Sequence, residues 1–229
     1  SKYQNTYADT QIFSFRKLLP TADGGGIRFN RTTVDHNFRF RDQMAANIKA
    51  LLIAIKRIGS LYSATLRSRF GSLIQQDIDR LSSGSRRIDP LPVSTFGNSI
   101  IRSADIKEIS EIRRRQYRWW QEIMGSTVFV SPFSHLPDEV VPYGFPVKLQ
   151  NPREVIEHFK QYNIFLKMNW EILPAGTKET HPISHELAES SLTLPIYPGL
   201  HKKQMLFIRD EIVMHGVPLF ESEKIWSKN

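Results

Sequence analysis

The chain has 229 residues, a formal net charge of +8, 40% hydrophobic and 24% charged residues, and no cysteine. That length suits one large domain or two small ones with a sizeable core, and the composition is that of an ordinary globular chain rather than a disordered one. Disulfides, thiolate metal sites and cysteine nucleophiles are excluded; no apolar run approaches the ~20 residues that span a bilayer; and a basic balance without a motif is weak evidence for nucleic acid as a partner.

Residues 1–10 are polar and lack the apolar core of a signal peptide, so the expected location is the cytoplasm. Because the chain does not start with methionine, it is expected to be part of a longer protein. Gln11–Phe15 reads as a short strand. Arg16 and Lys17 follow, then Leu18, Leu19 and Pro20, then Gly24, Gly25 and Gly26. Glycines permit a reversal through positive φ, and 26–30 alternates as a second strand that pairs with the first. From Asp42 to about Leu81 apolar residues recur at helical spacing, Met44, Ile48, Leu51 and Ile55 among them, with Gly59 and Gly71 expected to divide or bend the run. Ser82–Ser85 with Pro90 and Pro92 reads as a connection and a domain boundary.

Ser103–Met124 is predicted as one amphipathic helix. Ile106, Ile109, Ile112, Tyr117, Trp120 and Ile123 form its apolar stripe, and Arg113, Arg114 and Arg115 its solvated side. A strand at Thr127–Val130, a proline-rich loop from Pro132 to Pro142 and a strand at Gly144–Leu149 follow. Asn151 is expected to cap a helix opened by Pro152 and running to about Tyr162. Then come a strand at Ile164–Met168, a loop at Pro174–Pro182, a helix at Ile183–Ser190 and a strand at Leu192–Leu194. After a turn at Pro195, Pro198 and Gly199 the chain closes in a helix from His201 to His215, with Gly216 as its C-cap. From residue 100 onward this order suits a small α+β domain with a mainly antiparallel sheet.

Chemistry concentrates at Lys17. Ser14 and Lys17 fit the S-x-x-K spacing of serine acyl-transfer enzymes, but Pro20 would break the helix that arrangement needs, and its S-D-N and K-T-G companions are absent. The alternative is a lysine that forms a Schiff base with a carbonyl cofactor. Such an amine must shed its proton, which apolar neighbours such as Phe13 and Phe15 and the cation Arg16 favour. Ser14 can donate to a phosphate. A lysine after a strand is, however, most often a solvated loop residue. His181 and His185, four apart, have a metal-binding spacing, but Pro182 puts the first outside the helix and no third ligand is evident, so no metal is expected. Arg113–Arg115 beside Trp119 and Trp120 could form a nucleic-acid platform, but the helix periodicity explains them better.

The segment FSFRKLLPTADGGGI resembles the one around the Schiff-base lysine of the DegT/StrS family of pyridoxal-phosphate-dependent sugar aminotransferases, with Ser14, Phe15, Lys17, Thr21, Gly24 and Gly25 in the matching places. IRRRQYRWWQEIM at Ile112–Met124 resembles the family's RR-x-x-Y helix. Tyr143–Leu149 with Asn151–Leu166 resembles its strand–helix–strand unit, and LTLPIYPGL at Leu192–Leu200 its closing L-x-L-P-x-x-P motif.

The resemblance implies an α/β fold: the end of the cofactor-binding large domain over residues 1–100, and a small α+β domain over 101–229. It further implies that Lys17 carries pyridoxal 5'-phosphate and shuttles a proton, that Ser14 binds the cofactor's phosphate, and that Asn37 serves a neighbouring subunit's phosphate site. The implied reaction moves an amino group, from glutamate, to a keto-sugar nucleotide in a homodimer. Trp170 and Asn169 would lie on a substrate-facing loop. The family's phosphate loop, its ring that stacks on the cofactor and its aspartate for the pyridine nitrogen precede the lysine, and only sixteen residues do so here. The chain is therefore expected to be a carboxy-terminal portion. The alternatives are an inactive relative serving as an assembly partner and, behind it, a basic nucleic-acid module.

Overall fold

A computed structural model describes residues 8–30, 37–62 (side chains to 55), 91–129, 131–133, 135–168 and 178–219. The chain divides into two compact units, Ser1–Ile106 and Lys107–Asn229. Among the described residues no helix is long and apolar enough to cross a membrane.

In the first unit β1 (Thr10–Ser14) runs antiparallel to β2 (Gly25–Phe29), with Ser14 opposite Gly25 and Ile12 opposite Ile27. The pair forms as the alternation predicts, one residue earlier in each strand. Of the three glycines only Gly24, at φ +106°, makes the left-handed turn; Gly25 and Gly26 belong to β2 itself. Next come α1 (Phe40–Tyr62) and α2 (Thr95–Ser103), which pack on one another. Helix α1 continues through Gly59 without a break. Gly71, the Ser82–Ser85 connection and the expected helix beyond Tyr62 lie outside the described residues. The apolar stripe of α1 is not its buried face. Met44, Ile48, Leu51 and Ile55 are exposed, and the small Ala46 and Ala50 are buried instead.

The second unit is built on α3 (Ile106–Gly125) and a three-stranded antiparallel sheet in the order β3 (Gly144–Lys148), β5 (Ser191–Pro195), β4 (Lys167–Met168). Helices α4 (Pro152–Lys160), α5 (Pro182–Ser190) and α6 (Lys202–His215) complete it. Its core gathers Tyr117, Trp120, Ile123, Phe145, Val147, Phe159, Leu192, Leu194, Met205, Ile208 and Ile212. The period-3.6 stripe of α3 and the alternating positions of β3 and β5 meet there.

Several expectations are corrected. The helix predicted from Ser103 starts at Ile106, because Ser103 belongs to α2, a separate helix the sequence reading did not anticipate, which ends where Ala104 turns extended (ψ 122°). Residues 127–129 bend instead of forming a strand. The Thr127 hydroxyl donates to the Met124 carbonyl (2.7 Å) and accepts from the Phe129 N–H (3.2 Å), satisfying groups a ladder would need. Asn151 does not cap α4. Its side chain accepts from the Val217 N–H (2.7 Å) and donates to the His215 carbonyl (3.1 Å), tying the start of α4 to the end of α6. Gly216 follows α6 with extended rather than left-handed backbone. A Cβ there would meet the Ile212 carbonyl oxygen at 2.6 Å, so close approach explains the glycine.

The arginines of α3 are likewise not all solvated. Arg113 is 4% exposed and donates to the Pro142 and Tyr143 carbonyls (3.1 and 3.3 Å). Arg114 donates to those of Pro137 and Val140 (3.2 and 2.8 Å). Together they hold the proline-rich loop, whose carbonyls have no strand partner to satisfy them. Burial pulls the Arg113 guanidinium below its usual pKa, with Tyr143 opposing.

Candidate functional site

Ser14 ends β1 and Phe15–Lys17 forms a single 3-10 turn closed by Leu18. The Phe15 N–H donates to the Gly24 carbonyl (3.2 Å), and its own carbonyl accepts from Leu18 and Leu19 (3.0 and 2.8 Å). This crossed pair of bonds makes the Leu18–Gly24 loop a closed unit. Leu19, Thr21 and Ala22 within it are buried. Lys17 and Ser14 thus stand on one turn at the end of a hairpin, and both are exposed. The shielding of Lys17 that Phe13 and Phe15 were expected to provide is not given by this unit: Phe13 is itself 44% exposed, with Ile12 at 80% and Ile27 at 56% beside it. Asn37 is also exposed, three residues before α1.

What fixes the turn is a group the sequence does not single out. The Asp23 carboxylate accepts from the Ser94 N–H (2.8 Å) and hydroxyl (2.9 Å). The Ser94 hydroxyl oxygen caps α2 by accepting from the Gly97 N–H (3.0 Å). A carboxylate at a helix N-terminus also meets the positive end of the helix dipole. At Gly97 a Cβ would lie 2.3 Å from Asp23 Oδ1, so the contact requires glycine. Asn47 of α1 accepts from the Thr95 N–H (2.8 Å), and Gln43 donates to the Val93 carbonyl (3.1 Å). The lysine turn is therefore anchored through its distal loop to two helices. Asp23 was not singled out: its place ahead of a glycine is the local signal of turn chemistry, and its partner seventy-one residues on leaves none.

In the second unit the two motifs that resemble aminotransferases interlock. Gln116 of α3 donates to the Tyr197 and Leu200 carbonyls (2.8 and 2.9 Å), and the Trp120 indole N–H to that of Pro195 (2.9 Å). Helix α3 thereby holds the L-P-x-x-P-G-L turn, where Gly199 sits at φ +97°. Arg115 lies over the Trp119 ring at 5.5 Å, and Lys202 approaches the same ring at 5.9 Å. Of the histidines weighed from sequence, His181 precedes α5, with its Nδ1 2.8 Å from the Thr180 hydroxyl, and His185 sits inside α5. A different trio converges, His158, Glu211 and His215, of which only the Glu211–His215 helical spacing could have been read in advance. Asn169 and Trp170 lie outside the described residues.

No family model and no curated protein sequence matches the chain. Solved structures do. The candidate sugar aminotransferase Spr1654 of Streptococcus pneumoniae, in its PLP form, aligns with 92% of this chain and 52% of its own, at TM-score 0.50 and 14% identity. A DegT/DnrJ/EryC1/StrS aminotransferase of Brucella abortus aligns with 90% of this chain and 51% of its own (TM-score 0.48, 15% identity). DesV of S. venezuelae, solved with a ketimine intermediate, aligns with 62% of this chain and 43% of its own (TM-score 0.44, 17% identity). The chain spans about half the length of the structures it resembles. Its fold, mixed helix and strand with small antiparallel sheets, is that of a portion of the sugar aminotransferases.

Proposed function

We propose that this chain, built on the fold of part of a sugar aminotransferase, works as the lysine-bearing portion of a pyridoxal-phosphate-dependent aminotransferase acting on a keto-sugar nucleotide with glutamate as amino donor. The observation that carries the reading is the Ser14–Lys17 turn, held at the end of a hairpin by Asp23 on the α2 N-terminus. The donor set fits the cofactor: one primary amine for its aldehyde and one hydroxyl for its phosphate, on a single anchored turn. Bound there, the cofactor supplies an electron sink for the substrate carbon.

Lys17 supplies the attachment point and moves the proton at its Nζ. Ser14 Oγ donates to phosphate, and Asp23 keeps the turn from drifting without touching the substrate. Asn37, exposed before α1, would reach a neighbouring subunit. The stripe Met44, Ile48, Leu51 and Ile55 is a surface a second copy would cover, and shielding of Lys17 would come from such an assembly. A cytoplasmic location goes with this chemistry.

Adding pyridoxal phosphate to the full chain should produce a yellow absorbance band. Borohydride reduction should then leave the cofactor's mass on the peptide holding Lys17. Lys17→Ala should abolish both. Should a folded dimer give neither, the second reading holds: an inactive relative that serves as an assembly partner, which the exposure of Lys17 favours.

A further inference from the structure

Helix α4 and helix α6 bring three ligand-type side chains to one place in the second unit. Glu211 and His215 lie one turn apart on α6, and His158 comes from α4. His158 Nε2 is 2.6 Å from Glu211 Oε2, and His215 Nε2 is 3.7 Å from the same oxygen. All three ligand atoms lie within 4.8 Å of one another. The imidazole rings are 3.9 Å apart between centroids, tilted by 35°. The side chains of Glu211, His158 and His215 are 15%, 20% and 39% exposed, so the cluster is half-buried with one open side.

We propose that His158, Glu211 and His215 form a binding site for a divalent transition cation of the zinc type, with water completing the coordination. Independently of the aminotransferase reading, the case rests on the donor set and its crowding. One histidine is enough to hydrogen-bond a carboxylate. A second imidazole packed on the first, its Nε2 3.7 Å from the same carboxylate oxygen, supplies a third donor that the hydrogen bond does not use. A cation between them takes one lone pair from each nitrogen and one from the carboxylate oxygen.

Two imidazoles and a carboxylate suit zinc, whereas magnesium and calcium take oxygen donors. Zinc bonds of about 2.1 Å in a tetrahedron put donor atoms roughly 3.4 Å apart. The observed separations bracket that value, and His215, the most exposed ligand, is the one able to swing outward.

Supporting partners surround the cluster, as metal sites require. The Gln161 amide nitrogen is 3.0 Å from His158 Nδ1; turned over, the same amide offers an oxygen to Nδ1–H when Nε2 is engaged. The Tyr162 hydroxyl donates to Glu211. Asn151 holds the His215 carbonyl at 3.1 Å and so fixes the last turn of α6.

The test titrates the metal-free 229-residue chain with zinc chloride in a calorimeter, with magnesium chloride as control and cobalt(II) absorption as a report on geometry. The expected result is one zinc per chain, no magnesium binding, and a visible cobalt band typical of four-coordination. His215→Ala and Glu211→Gln should each weaken zinc by more than about tenfold, the loss that even an outer partner can cause. His185→Ala should leave it unchanged. Circular dichroism checks folding, and if Glu211→Gln does not fold, His215→Ala alone decides. Absence of stoichiometric zinc binding, or binding undiminished in His215→Ala, overturns the site.

Discussion

Asp23 stabilises the Lys17 turn from a distance, and its role is geometric. Its two oxygens hold Ser94, and Ser94 holds Gly97, so a loop, a cap and a helix start share one hydrogen-bond set. A methyl group at Gly97 would have to displace the Asp23 carboxylate from 2.3 Å. Gly97→Ala is expected to cost about 1–3 kcal/mol, as overpacking does, measured by urea unfolding. Asp23→Ala leaves the Ser94 N–H without its acceptor, and a loss of about 1–3 kcal/mol is expected in the same assay. Under the proposed reading Asp23 serves the turn and not the cofactor, so pyridoxal phosphate is expected still to label Lys17 of the variant at saturation.

Helix α3 is the element on which the second unit hangs. One face enters the core through Tyr117, Trp120 and Ile123, and the flanks donate to loop carbonyls on both sides. Gln116→Leu preserves helix propensity but takes the side-chain donor from the Leu200 carbonyl, while the Tyr197 carbonyl keeps the Leu200 N–H (3.1 Å); a loss of about 1–2 kcal/mol in thermal unfolding is expected. Tyr117 adds a pH signature. Burial raises its phenol above the usual 10.0, outweighing the opposing bond with Ser131. The native state therefore holds this proton more tightly than the unfolded chain. The stability this adds is present below pH 10 and is lost as pH climbs through the native value. Unfolding midpoints measured above pH 10 should fall less steeply in Tyr117→Phe than in the parent.

On the largest scale, one exposed apolar surface among the described residues is the stripe of α1, with Leu51 60% exposed and Met44, Ile48 and Ile55 near half. A stripe of this kind on a folded unit is an assembly surface or an aggregation hazard. Under the homodimer reading Leu51→Glu should shift sedimentation toward the monomer while leaving the circular dichroism unchanged. A parent chain that sediments as a monomer at all concentrations would remove that reading. The hairpin of β1 and β2, with Ile12 and Ile27 outward, belongs to the same question, since a two-stranded ribbon is marginal alone.

Local pattern carried a good part of this protein. The hairpin, the amphipathic helices, the antiparallel strands and the resemblance of both motif segments were legible because turn glycines, prolines and apolar spacing act over a few residues. The fold of a sugar-aminotransferase portion follows that reading. Which face of α1 is buried, why Arg113 is inside, what Asp23 grips and that His158 meets Glu211 and His215 were not legible. Each depends on partners 29 to 71 residues away in the chain, whose approach is set by packing of whole elements rather than by any local preference.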